Sequence, residues 1–250
     1  MYPILFSIGR ITVYTYGLMM ALAFLAAIWI ISYSSKEEGL DIAKLVDLAF
    51  FAILSGIIGS RIFYILMNPL EYISHPLKIF KIWEGGLVFY GGILGGILAA
   101  IYLIKRYQLP LWKTLDVLAP ALILAQAIGR IGCFMAGCCY GQPTELPWAV
   151  TFNNPKTLAP MCIPIHPTQL YHSSFNLMIF GILFFIVRKR RRFTGQIFSL
   201  YLCLYSTGRL LIEFFRGDSK IHLIAGLNLP QLISIVIFLS GVFLYWRLKD

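Results

Sequence analysis

The feature that most constrains this chain is a succession of apolar stretches of nearly membrane-crossing length. A transmembrane helix needs about 20 mostly apolar residues. Seven stretches approach that: Val13–Tyr33, Asp47–Met67, Leu87–Ile104, Asp116–Gly137, Ser173–Val187, Ile197–Phe215 and Leu229–Trp246, the third and fifth being short. Charge is scarce, at 13% of 250 residues, while 59% are hydrophobic. Soluble domains carry roughly 25% charged residues. With a mean hydropathy of +0.78, the chain takes lipid as its solvent. The expectation is an all-α polytopic membrane protein: seven transmembrane helices in a single domain over residues 1–250. The first apolar run, beginning near Ile11, lacks a small-residue cleavage site, so the N-terminus is read as part of the fold and not as a signal peptide.

A net charge of +10 raises the question of nucleic acid. The basic residues, however, sit in short segments between apolar runs, which is a topology signal and not a phosphate-binding stripe. One set of loops holds Lys36, Lys44, Lys105, Arg106, Lys113, the Arg188–Arg192 run, Arg247 and Lys249. The other holds Arg10, Lys78, Lys81, Lys156, Arg216 and Lys220. The richer side is cytoplasmic by the positive-inside rule, which puts the N-terminus outside and the C-terminus inside. Residues 68–86 mix apolar and basic positions and read as interfacial. Residues 138–172 contain six prolines and read as a loop-rich periplasmic cap, with a short strand at Trp148–Phe152. There is no internal repeat of convincing length.

Three arginines lie inside expected spans: Arg61, Arg130 and Arg209. An arginine at mid-bilayer costs about 2.5–3.5 kcal/mol on insertion scales. Each follows the middle of its stretch by three or four residues, about 5 Å at 1.5 Å per residue, so all three sit in the outer half and can meet one anion. Arg61 is equally explained by snorkelling or by a neighbouring acid. Tyr205, Arg209 and Glu213 are spaced i, i+4, i+8 on one helix face, where Arg209 and Glu213 can form a structural ion pair. Glycines flank both Arg130 (GRIGCFMAGCCYG) and Tyr90 (GGLVFYGGILGG) at close-packing spacings. Asp47 and Asp116 are read as opening helices, where a carboxylate favours the N-terminal dipole. His166, Gln169 and Tyr171 stand together in HPTQLYH at the outer interface, where a histidine titrates near neutrality, and Tyr16 fits an interfacial aromatic belt.

Of the five cysteines, Cys133, Cys138, Cys139, Cys162 and Cys203, no two form a C-x-x-C pair, which weakens a redox reading. Their spacing to His166 and His172 matches no standard zinc pattern, so no metal is expected. Cys162 is expected to pair with Cys138 or Cys139 in the cap. Cys203 reads as a small apolar residue.

Taken in order, YTYGLM, GSRIFY, WEGGLVFYGG, LDVLAP, GRIGCFMAGCCYG, HPTQLY and YSTGRLLIEFFR resemble the prolipoprotein diacylglyceryl transferase family from the first helix to Gln231. The resemblance implies a seven-helix bacterial inner-membrane enzyme with its active site toward the periplasm and no cofactor. Its substrates would be phosphatidylglycerol and the lipobox cysteine of preprolipoproteins, its products a thioether and glycerol phosphate. Carried over by motif, Arg130, Arg209, Tyr90, His166, Tyr205 and Glu213 are the catalytic candidates. Tyr16, Arg61, Asp116, Gln169 and Tyr171 are the substrate-binding ones. The family signature after Gly132 usually reads GNF-x-N-x-E; here Cys133, Ala136 and Cys138 replace Asn, Asn and Glu. That departure leaves open a divergent paralogue with another acceptor.

Chemically, Arg130 and Arg209 can hold a phosphate bidentately, and cations lower a thiol from its pKa of about 8.5. Tyr90, with a reference pKa of about 10, is a poor base; Tyr90, His166 and water remain alternatives. A lipid or anion transporter using the same arginines is the rival. It requires a polar path through the inner half and often an inverted repeat, and only Asp47 and Asp116 lie there.

Overall fold

The computed structural model describes residues 1–9, 11–81, 85–218, 222–224 and 226–250. Arg10 and Lys220 of the basic tally, and Trp83 and Glu84 of WEGGLVFYGG, lie outside the described residues.

The chain opens with a hairpin of β1 (Ile4–Ile8) and β2 (Ile11–Tyr14), not with the start of a span at Val13. The Thr15 amide donates to the Pro3 carbonyl at 3.0 Å, and α1 (Thr15–Glu38) follows. Helix α2 (Ile42–Met67) is capped by Asp41, whose carboxylate accepts from the Ala43 amide at 2.9 Å. Asp47 therefore does not open its helix. Nor does Asp116, because α5 begins at Leu111. The apolar windows underestimated both helices: Lys44 and Lys113 carry the hydrogen-bonded spiral past the hydrocarbon limit on long side chains.

The described residues form two compact units. Residues 31–114 contain all of α2, then α3 (Pro69–Ser74), a 3₁₀ turn (Pro76–Phe80) and α4 (Phe89–Arg106). Helices α2 and α4 touch backbone to backbone. A Cβ on Gly59 would stand 2.5 Å from the Gly91 carbonyl oxygen, and one on Gly91 would stand 2.5 Å from that of Gly59. Only glycine permits this approach. An apolar groove of about 910 Å³ runs along the pair, lined among others by Phe51, Ile58 and Leu98. In the segment after α2, Leu70, Ile73, Leu77 and Phe80 are all exposed, and Lys78 pairs with Glu71 at 3.0 Å.

The other unit, residues 1–30 and 115–250, holds most of α5 (Leu111–Ala136), then α6 (Thr168–Gly181), α7 (Gln196–Glu213) and α8 (Leu229–Lys249). Helix α6 starts five residues before the expected Ser173 and continues through a π-helical segment (Ile182–Val187) and a 3₁₀ turn (Arg188–Arg190). Ala119, Ile123, Ile179, Leu183, Ile197 and Tyr201 form its core. Between α5 and α6 the chain is loop-rich. There β3 (Val150–Thr151) pairs with β4 (Pro164–Ile165) around buried Phe152, Ala159 and Ile165. The strand expected over 148–152 is shorter because a turn closes at Ala149 and Pro164 has no amide to extend the ladder. A hairpin of β5 (His222–Ile224) and β6 (Leu227–Asn228) leads into α8, whose first turn is closed by a reciprocal Asn228–Gln231 capping box.

Among the described residues, six helices are long and apolar enough to cross a membrane: α1, α2, α4, α5, α6 with its extension to Arg190, and α8. Helix α7 has 18 residues, but Gln196, Ser199, Ser206, Thr207, Arg209 and Glu213 lower its hydropathy. Side chains such as Trp29, Leu66, Phe89 and Phe243 are each about two-thirds exposed or more. An apolar surface on that scale belongs in contact with lipid.

Candidate functional site

Arg130 and Arg209 sit near the C-terminal ends of α5 and α7, six residues before Ala136 and four before Glu213. Measured from the actual helix midpoints they lie about 10 and 7 Å along the axis at 1.5 Å per residue, further out than the apolar windows suggested. The charges of Arg130, Arg209 and Arg216 act on one another and on His172 of α6. Arg209 pairs with Glu213 at 3.0 Å, one turn along α7. It also meets His172 Nε2 at 3.2 Å. A guanidinium only donates, so Nε2 accepts, and the proton of the neutral ring sits on Nδ1. Arg216 forms a two-pronged pair with Asp218, at 2.8 and 2.6 Å, and lies 3.9 Å from Glu213. Glu213 is buried and also accepts from Asn228 Nδ2 at 3.1 Å.

Arg130 is half-buried, and its side chain forms no hydrogen bond or ion pair among the described residues. Three guanidiniums thus face two carboxylates, Glu213 and Asp218, leaving one positive charge over. A half-buried unpaired cation within a membrane-spanning helix is costly, and an anion removes that cost.

The turn after α5 packs against this cluster. Gly137 and Cys139 both have left-handed backbone (φ 79° and 58°). Thr168 donates its hydroxyl to the Cys139 carbonyl at 2.8 Å, and Gln169 donates its side-chain amide to the Cys138 carbonyl at 2.8 Å. The Gly141 amide donates to the His166 carbonyl at 3.1 Å, and the His166 amide donates to the Gln142 carbonyl at 2.9 Å. Hence HPTQ anchors the cysteine turn. Hydrogen bonds from Cys133 and Cys138, with the charges of Arg216 and Arg130, hold the Cys139 thiol well below the usual thiol range. Contacts with Cys133 and Cys139 push Cys138 up.

His166 Nδ1 lies 3.1 Å from the Tyr171 hydroxyl, which accepts from the Trp148 indole at 2.7 Å. Phe215 completes this box, 5.2 Å from the His166 ring. Tyr16, at the start of α1, packs on Gly132, and its interactions reach Arg130 and all three cysteines of the turn. Tyr205 stacks on Tyr201 and interacts with Arg209. One unit therefore brings together Tyr16, Arg130, Tyr205, Arg209 and Glu213, with Gln169 beside them and the His166–Tyr171 pair at the edge of the same loop.

The remaining candidates stand differently. Asp116 is fully buried and accepts from the Gly195 and Phe198 amides at 2.7 and 2.9 Å, with Arg191 3.6 Å away. It caps α7, not its own helix. Arg61 and Tyr90 belong to the other unit. Arg61 has neither snorkelled nor found an acid: it donates to the carbonyls of Lys78, Ile79, Lys81, Gly85 and Gly86 and stands against the Tyr64 and Tyr72 rings. Tyr90 is half-exposed in the first turn of α4.

Sequence reasoning missed three participants. Arg216 was counted as a loop charge, although it lies three residues from Glu213 in the same motif. His172 was noted only as a neighbour. The clustering of Cys133, Cys138 and Cys139 depends on a left-handed turn that spacing does not reveal. The expected disulfide is absent: all five cysteines are free, and Cys162 is exposed. The bonds from Thr168 and Gln169 hold the turn so that Cys138 and Cys139 group with Cys133 instead.

Residues 3–247 match the sequence model of the family described as prolipoprotein diacylglyceryl transferase. A phosphatidylglycerol–prolipoprotein diacylglyceryl transferase of Clostridium tetani is 38% identical over 245 residues, covering 98% of this chain and 97% of the relative. Proteins of the same name from Symbiobacterium thermophilum and Trichormus variabilis are each 40% identical, covering 99% and 93% of this chain and 93% and 84% of their own length.

Proposed function

The chain belongs to the prolipoprotein diacylglyceryl transferase family, and from that premise we propose how its arginine cluster performs the reaction. The protein transfers the diacylglyceryl group of phosphatidylglycerol to the lipobox cysteine thiol of a preprolipoprotein. A sulfur–carbon bond forms, the carbon–oxygen bond to phosphate breaks, and glycerol phosphate leaves. The observation that carries the site assignment is the unpaired Arg130 beside Arg209 and Arg216, with one positive charge in excess over Glu213 and Asp218. A phosphodiester supplies the negative charge that Arg130 finds in no carboxylate among the described residues. As the ester bond breaks, the phosphate gains a second charge, and fixed guanidiniums stabilise that gain without reorganisation. Two guanidiniums also offer planar forks that match phosphate oxygens.

In this reading Arg130 and Arg209 grip the phosphate, and Glu213 and His172 hold Arg209 in register. Tyr16 and Tyr205 border the bound head group. The Gln169 carbonyl oxygen is buried without a hydrogen-bond partner among the described residues, and it accepts from a head-group hydroxyl. His166, whose Nδ1 meets the Tyr171 hydroxyl, is the proposed acceptor of the thiol proton, and Tyr90 of α4 is the alternative base. Arg61 and Asp116 act as positioning residues, the first by holding the carbonyls of residues 78, 79, 81, 85 and 86 and the second by fixing the start of α7.

We further propose the inner membrane of a bacterium as the location, with α7 as the seventh span, the C-terminus cytoplasmic and the cluster toward the periplasm. The basic Arg188–Arg192 segment supports that orientation. The test of the site is Arg130→Gln in lipid nanodiscs, assayed by mass spectrometry of a lipobox peptide with phosphatidylglycerol. The reading requires transfer to fall at least tenfold while the protein still inserts; unaltered transfer refutes the assignment.

A further inference from the structure

The sulfurs of Cys133, Cys138 and Cys139 all lie within 4.8 Å of one another. Three sulfurs on a tetrahedral zinc ion, at about 2.3 Å each, stand about 3.8 Å apart, so a small rotation of the side chains closes the set. The grouping is built into the fold. Cys133 projects from the last turn of α5, while Cys138 and Cys139 are consecutive residues whose side chains ordinarily diverge. The left-handed backbone at Cys139, φ 58°, is unfavourable for a residue with a side chain. It is held by Thr168 and Gln169, which bind the Cys139 and Cys138 carbonyls. All three cysteines are partly accessible.

We propose that Cys133, Cys138 and Cys139 form a zinc-class metal site whose open fourth position takes the acceptor cysteine thiol. This rests on the transferase reading above. Three protein ligands with an open position are the hallmark of a catalytic zinc, as opposed to a structural one. Thiolate donors select zinc or copper(I) over hard cations. A thiol that coordinates such an ion loses its proton outright. The acceptor thiol would give its proton on binding to His166, directly or through water, and remain a nucleophilic thiolate. Its sulfur then bonds to the glyceryl carbon as the carbon–oxygen bond breaks, the electron pair leaves with glycerol phosphate, and the ion keeps its charge. Arg130 precedes Cys133 by one turn of α5, so the phosphate grip and the thiol activator share one helix end.

The test uses the full chain, purified anaerobically. Metal content is measured first. One zinc per chain is expected, abolished by Cys133→Ser and by Cys138→Ala and retained in Cys162→Ser and Cys203→Ser. Cobalt(II) exchanged into wild-type protein should show thiolate-to-cobalt charge-transfer absorption. Adding a lipobox peptide should change that spectrum, whereas its Cys→Ser analogue should not. Substoichiometric metal in active wild-type protein, or a disulfide within the trio, overturns the proposal and leaves the transferase reading standing. Cobalt absorption indifferent to the peptide overturns the acceptor-binding half. A metal-loaded protein that binds the peptide thiol yet never modifies it with phosphatidylglycerol refutes the transferase reading instead.

Discussion

Replacing Asp116 by Asn separates two roles for a residue that the family motif marks as a substrate contact and the structure shows buried. The carboxylate accepts from the Gly195 and Phe198 amides at 2.7 and 2.9 Å, and Arg191 stands 3.6 Å away. The side chain is completely shielded from solvent. An asparagine of the same shape presents one acceptor and one amide group, so one of the two backbone donors meets another donor. Losing a charge-assisted hydrogen bond costs about 1.5–3 kcal/mol, and stranding a buried donor about 1–3 kcal/mol. Removing the charge from the N-terminus of α7 adds about 0.3–1 kcal/mol. These contributions overlap, and a net loss of roughly 3 kcal/mol is expected on the scale of a broken buried network. Unfolding in mixed micelles, followed by tryptophan fluorescence, reads it. The KM for phosphatidylglycerol of the folded fraction should be unchanged. A variant of wild-type stability with a KM raised tenfold or more would show that Asp116 touches the lipid and that the capping account is wrong.

Other outcomes follow from the same contacts. Arg209→Lys should cut transfer about tenfold and Arg209→Gln about a hundredfold, the difference reflecting the retained charge at about 1.4 kcal/mol per decade; wild-type transfer by Arg209→Lys would exclude a fork-like grip. Gly91→Val places a branched side chain where a Cβ alone meets the Gly59 oxygen at 2.5 Å, and overpacking of about 1–3 kcal/mol or more should appear as a lower melting temperature. Arg61→Ala frees five backbone carbonyls and should speed protease cleavage between residues 78 and 86 while leaving the affinity for phosphatidylglycerol within about twofold, since that change is under 0.5 kcal/mol. A single cysteine introduced at Lys189 should be blocked only by reagents that enter the cytoplasm; labelling from outside would reverse the topology.

The helices were legible because lipid leaves the sequence little choice: apolar runs near 20 residues and terminal basic clusters mark them. Their ends were not, since Asp41 and Leu111 begin helices in polar sequence, where hydrogen bonding and not hydropathy sets the boundary. Helix α7 shows the same tension, because its serines, together with Arg209 and Glu213 of the site, dilute its apolar signal. Within the site, Arg209 and Glu213 could be paired from their four-residue spacing. The contribution of Arg216 was hidden in a loop, and the partner of Arg61 proved to be a set of carbonyls that no spacing rule anticipates. The hairpin of residues 4–14 and the cysteine turn both depend on left-handed residues, Gly9 and Cys139. Of these, only the glycine advertises itself.

The central claim is that this chain joins a diacylglyceryl group to a cysteine thiol by expelling glycerol phosphate from a guanidinium grip. The most direct test is purified protein in nanodiscs with phosphatidylglycerol and a lipobox peptide, following both products by mass spectrometry. The account predicts a peptide heavier by one diacylglyceryl group, stable to hydroxylamine as a thioether is, with one glycerol phosphate released per modified peptide. A hydroxylamine-labile adduct, or an unmodified peptide beside intact lipid, would contradict it.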